Sequence, residues 1–249
     1  MAPEPHDPAA TIASTLRFYH ETLEWLAGHH AQFAENTTHD LAADERANAV
    51  WKLSGESIAH AMALVKLLEQ GFTGQTWPAM RAVHEAVRLL VAVTDTHEER
   101  IPRRWLVDQQ VKQEEARAAE QRAVARIAEE MQAAGVEPIS EDVETFTQQI
   151  YRGMSRASHH QRSVVDEAID HEARTFIYGP DPRPDRRLAY TIFAGALVRE
   201  VLLHAGEALN VLWGPPTFYF EHLVPMLESF DLTLQALDAY DFVRRTGLI

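Results

Sequence analysis

Along most of this chain, apolar residues recur at alternating steps of three and four. Ile12, Leu16, Tyr19, Leu23, Leu26 and Phe33 make one such stripe, the pattern of a 3.6-residue helix with one face turned to a core. Asn36–His39 interrupts it. A second stripe, Val50, Leu53, Ala61, Leu64 and Leu68, predicts a helix from roughly Ala43 to Gln70, closed by Gly71. Thr76-Trp77-Pro78 predicts a new start, with Thr76 as cap and Pro78 in the first turn. This third helix runs to Thr94 and is apolar around most of its circumference.

Between Arg104 and Ala134 the composition shifts to Glu, Gln, Arg and Ala, with sparse anchors at Leu106, Val111, Val124, Ile127 and Met131. We read a long, solvated helix that projects from the bundle or serves as an oligomer contact. Gly135-Val136-Glu137-Pro138 ends it. Ser140-Glu141-Asp142 opens another helix, acidic in its first turn as the helix dipole prefers, and it continues through Val143, Phe146, Ile150 and Met154 towards Ile169. The run from Tyr178 to Pro184, with three prolines and a glycine, is a rigid loop. A long apolar helix over Leu188–Trp213 is stopped by Gly214-Pro215-Pro216, and a shorter one spans about Phe218–Tyr240. No segment alternates with period two and none repeats at a fixed period. The expected architecture is all-α: residues 1–249 as a single helical bundle of about six to eight helices without a β-sheet, residues 1–10 forming a flexible N-terminus.

Composition narrows the function classes. The 249 residues include no cysteine, so disulfides, thiolate metal sites and cysteine nucleophiles are excluded. A formal net charge of −14, from 37 acidic and 23 basic residues, repels phosphate backbones and disfavours an extended nucleic-acid surface. The basic clusters Ile101–Arg104 and Arg183–Arg187 read as solvated loop or helix-start sequence. No basic segment followed by an apolar run is visible at the N-terminus, and the longest apolar stretches, such as Ala86–Val93 broken by Arg88, are too short to span a bilayer. A cytoplasmic location without a membrane partner is the expectation.

Chemistry concentrates in two places. The third helix carries Arg81, His84, Glu85 and Arg88 in a narrow strip, and a helix packed on most sides cannot hold charges there without a partner or solvent. The second place is Tyr151–Arg162, where Arg152 and His159 lie seven apart, two turns along one helical face. A histidine beside an arginine suits acid–base cleavage of a phosphodiester. The same residues also lie opposite the Val143–Met154 stripe, where polar side chains belong in any case. His60 falls between Leu53 and Leu67 on its helical wheel, with Glu56 one turn behind, as a core histidine satisfied by one carboxylate or as part of a ligand pocket. Glu and His four apart recur at Glu167/His171, Glu200/His204 and Glu35/His39. Di-iron bundles use Glu and His three apart, so these pairs read as charge pairing, and neither a metal nor a cofactor is expected.

Two resemblances rest on these residues. The arginine–histidine spacing of Arg152 and His159 is similar to the motif of the higher-eukaryote-and-prokaryote nucleotide-binding superfamily, helical bundles that include dimeric toxin ribonucleases; where that family usually has a polar residue after the arginine, this chain has Gly153. Ser57–Asp95, together with Tyr151–His159, resembles a family of uncharacterised bacterial helical proteins with Arg-x-x-x-Glu in one helix and Ser-x-x-x-His in a later one. Here these are Arg81 and Glu85, then Ser155 and His159. The likeness implies that the four residues are neighbours, and it carries no activity.

Glycine-rich nucleotide loops, the nucleophile elbow and the His-Glu-x-x-His motif are all absent. The expected function is binding or assembly, with homo-oligomers or an unidentified protein or small molecule as partner, through a polar pocket lined by Arg81, Glu85, Ser155, His159 and His60. The alternative is a metal-independent toxin-type ribonuclease using Arg152 and His159 across a dimer. A carboxylate/histidine metal-binding bundle is the third.

Overall fold

The computed structural model describes residues 7–36, 41, 43–95, 113–133, 169–170, 174–177, 179–212 and 218–237. These form six α-helices: α1 (Pro8–Asn36), α2 (Glu45–Glu69), α3 (Trp77–Thr94), α4 (Gln113–Ala133), α5 (Pro184–Leu212) and α6 (Val224–Ala236). A 3₁₀ turn (Gly74–Thr76) leads into α3, and a π-helical turn (Tyr219–Leu223) leads into α6.

The stripe on α1 is buried as its spacing requires, from Tyr19, Leu23 and Leu26 at 0% exposure to Phe33 at 8%. Asp7 starts this helix, accepting the Ala9 amide at 3.0 Å ahead of Pro8 in the first turn. On α2, Val50, Leu53, Ala61, Leu64 and Leu68 are all buried, and Asp44 caps the start by accepting the Ala47 amide at 2.9 Å. Gly71 ends the helix with φ +84°. Its amide donates to the Leu68 carbonyl and that of Phe72 to Leu67, the paired bonds of a left-handed C-terminal cap that glycine adopts without a Cβ clash.

The α3 start differs from the expected cap. Thr76 is itself helical in φ and ψ and caps nothing with its side chain. Its hydroxyl donates back to the Thr73 carbonyl at 2.5 Å, because the preceding 3₁₀ turn already supplies the entry to the helix. Pro78 lies in the first turn as expected.

α5 is the central helix, touching α1, α2, α3 and α6. Pro184–Asn210 is long enough to cross a membrane and holds an 18-residue window of mean hydropathy 1.4, a stretch that uninterrupted apolar runs do not show. Scattered polar residues hide that average from the eye. In the fold, 67% of the window is buried by protein, so neighbouring helices cover the apolar surface that lipid would otherwise cover.

Around α5 the junctions are tight. A Cβ added to Gly195 would lie 2.0 Å from the Tyr19 hydroxyl, and one at Gly206 would lie 2.5 Å from Leu223. Tyr19 stacks on Phe230 of α6, centroids 5.1 Å apart, and Arg199 of α5 grips Asp231 through two bonds of 2.5 and 3.0 Å.

The charged segment, described from Gln113, packs on α3, with Ala116 and Ala119 fully buried. Arg126 pairs with Asp95 at the end of α3, while Arg117 acts electrostatically on His84 nearer its start. The ion pair and the buried alanines place α4 beside α3.

Among the described residues strands appear only as one antiparallel pairing, Ile169 with Phe176 and Asp170 with Thr175. Ile169 is therefore a strand residue and not the end of the helix expected from Ser140. Two residues per strand are too few for period-two alternation to register in sequence. The fold remains all-α.

Candidate functional site

The α3 strip divides into two ion or hydrogen-bond pairs, each spanning one turn. Arg81 Nε donates to Glu85 Oε1 at 2.6 Å, with side chains 39% and 29% exposed. One turn on, Arg88 Nη2 donates to His84 Nε2 at 2.6 Å. Arg88 retains only 5% of its surface, because the valines, leucines and alanines that turn α3 into the core carry this position with them.

A guanidinium has no acceptor atom, so the bond requires the lone pair of His84 Nε2 and leaves the imidazole proton on Nδ1. The environment agrees with a neutral ring. Burial first, then the positive charge of Arg88, pushes the His84 pKa down to about 4. Arg117 of α4 acts in the same direction, and Glu200 of α5 opposes them. His84 is thus the point at which three helices meet electrostatically.

On α5, His204 lies between two carboxylates, 3.2 Å from Glu200 and 3.8 Å from Glu207. Burial would push Glu200 up, but the hydrogen bond and charge of His204, with Arg199 and His84, hold it below the usual carboxylate range. Glu207 shifts the other way: burial raises it, Glu200 adds to the rise, and His204 opposes it. Although crowded by neighbours, these side chains remain 35% and 41% exposed, so solvent screens much of their interaction energy. The arrangement is a polar seam between α3 and α5 flanked by α4: buried at Arg88, open at Arg81, Glu200 and Glu207.

Among the described residues no group of three or more His, Asp or Glu side chains is placed to hold a metal ion. The seam instead offers guanidinium donors and carboxylate acceptors around a neutral imidazole. Such a set suits recognition of a polar or anionic group.

Arg81 and Glu85 thus meet as their spacing implies. His60 is placed differently from the wheel reading. It lies on a half-solvated edge of α2, 40% exposed, and pairs along its own helix with Glu56 at 3.5 Å. A wheel ranks positions by angle alone, and the neighbouring helices cover less of α2 at this level than its apolar arc suggests. Arg152, Ser155 and His159, with Glu167/His171, lie outside the described residues.

Sequence reasoning passed over Arg117 and Glu207. The readable signal for Glu207 was its place with Glu200 and His204, three polar residues on one face of an otherwise apolar helix. Asp181 was also passed over. It is 3% exposed and accepts from Thr73 Oγ1 at 2.7 Å and from Arg183 Nε at 2.7 Å, while its amide donates to the Gly71 carbonyl at 2.8 Å. Arg186 lies 3.6 Å away. The Arg183–Arg187 cluster is therefore partly built into a buried anchor rather than simply solvated.

No family model matches the chain, and neither a curated protein nor a solved structure is found to be similar to it.

Proposed function

We propose that the chain is a binding or assembly protein that receives a polar or anionic group of its partner at the α3–α5 seam. The observation that carries this reading is the buried Arg88 on a neutral His84. Desolvating an arginine is costly, and an apolar side chain at such an interface is generally as stabilising or more so. A guanidinium buried within this polar seam, where an apolar side chain would serve packing, supports recognition over stability as its reason. Arg81, more exposed and one turn nearer the helix start, is the donor through which a partner would reach the seam. Ser155 and His159, which the sequence resemblance groups with Arg81 and Glu85, are the further residues to substitute in testing it. An acidic chain without cysteine suits a cytoplasmic setting for this role.

The test is a binding screen on the whole protein by thermal shift and calorimetry, using inorganic phosphate, citrate and nucleoside monophosphates as probes, with sedimentation to detect self-association. Binding of one probe, weakened in Arg81→Ala without loss of fold, is the expected result. RNA cleavage that disappears in His159→Ala would replace this reading with the ribonuclease. Neither binding nor self-association across the screen would remove it.

A further inference from the structure

Away from the seam, the richest meeting of aromatic and titratable rings lies where α1 faces the π-helical turn before α6. The His29 ring stands 4.6 Å from Trp25 and 5.0 Å from Phe218, both edge-on, and 5.9 Å from His222 on the turn. Phe218 in turn stacks on Trp25 at 6.0 Å and meets Phe33 edge-on at 5.0 Å. Two histidines that are distant in sequence therefore close an aromatic nest. The backbone beneath one of them has π register, which is uncommon and recurs at sites that must adjust.

We propose that His29 and His222 form an acid-operated latch that holds Phe218–His222 against α1 at neutral pH and releases it when the imidazoles are protonated. Neutral imidazoles pack as flat aromatic rings. Protonated ones need water or an anion, and two cations at this separation repel. Burial of the ring, then the proximity of His222, already moves the His29 pKa below its ordinary 6.5, so the nest favours the neutral form. Among the described residues no carboxylate acts on His29. On α1, His30 is engaged with the Trp51 carbonyl of α2 at 2.9 Å; on the turn, Glu221 lies at the surface; from α5, it is Gly206 that meets Leu223 of the turn.

Release would be local, because the rest of the C-terminal helix has other anchors. Leu223 is buried against Gly206, Phe230 stacks on Tyr19, and Asp231 is held by Arg199. The hinge is thus Leu223, and the surface uncovered is the Trp25–Phe33 face of α1.

Hydrogen exchange on the whole protein at about pH 7.5 and about pH 5, corrected for the intrinsic chemical rate, tests the latch. Backbone amides of 218–222 should exchange about tenfold faster at the lower pH, while those of 230–236 keep their protection. His222→Phe and His29→Phe should keep the nest closed at both pH values. His222 is exposed, so its substitution leaves the core intact. Equal corrected rates in the wild type, an acid response spread evenly through α6, or the same response in both variants would overturn the proposal.

Discussion

Gly195 illustrates how one missing side chain sets a helix contact. The Tyr19 phenol is fully buried with its hydroxyl against the α5 backbone, and burial pushes its pKa far up, so it stays neutral. Gly195→Ala should destabilise the protein by about 1–3 kcal/mol, since backbone or a packed ring must shift to admit the methyl group. Gly28 on α1 has nothing within 4 Å of an added Cβ, so Gly28→Ala should be neutral or stabilise by up to about 1 kcal/mol through helix propensity. Urea unfolding of the two variants side by side checks both. Asp181 is the second residue whose role is local and large. Burial would raise its carboxyl, but hydrogen bonds from Arg183 and Thr73 hold it below its ordinary 3.8. Its contribution is therefore complete above that ordinary value and is lost as pH falls through the depressed folded one. Asp181→Ala should cost about 2–4 kcal/mol at neutral pH, and less in acid, as read from denaturation curves at both.

At the scale of elements, the α3 strip makes two separable predictions. His84 has its folded pKa near 4, below the unfolded value of 6.5. The unfolded state takes up the proton first, so this residue withdraws stability as pH falls from the unfolded value towards the folded one. An NMR titration should show its imidazole neutral through pH 5, and Arg88→Met should raise its pKa by removing a repelling cation. Persistence of the low value in Arg88→Met would leave burial, with Arg117, as its cause. Glu85→Ala breaks a pair that is 39% and 29% exposed, so the expected loss is at most about 1 kcal/mol. A larger loss would mean that Arg81 depends on Glu85 more than its exposure implies. α4 belongs to this scale too. The described side chains it buries are alanines, Ala116 and Ala119, and small side chains contribute little apolar area, so it should exchange its amides before α5 does.

For the whole molecule, the bundle is organised by α5, a helix apolar enough by composition for a bilayer and covered here by protein on most of its surface. Circular dichroism should report a helical spectrum with negligible strand signal, since strand pairing among the described residues is confined to two residues on each side. Purified protein should stay in solution without detergent; partition into membranes would indicate that α5 leaves its neighbours.

The helices were legible because period and punctuation are local properties. Leu16, Tyr19, Leu23 and Leu26 have no alternative face on which to lie, and Gly71 is the one residue type that ends α2 at no steric cost. The pairing of Arg81 with Glu85 was legible for the same reason, as one helical turn fixes both ends. What joins His84 to Glu200, Asp181 to Thr73 and His29 to His222 could not be read that way. These partners lie far apart in sequence, and their contact depends on which faces of which helices meet. The same dependence moved His60 from an apolar arc to a half-exposed edge: periodicity gives a residue its angle on its own helix, and only the neighbouring helices decide whether that angle is core, seam or solvent.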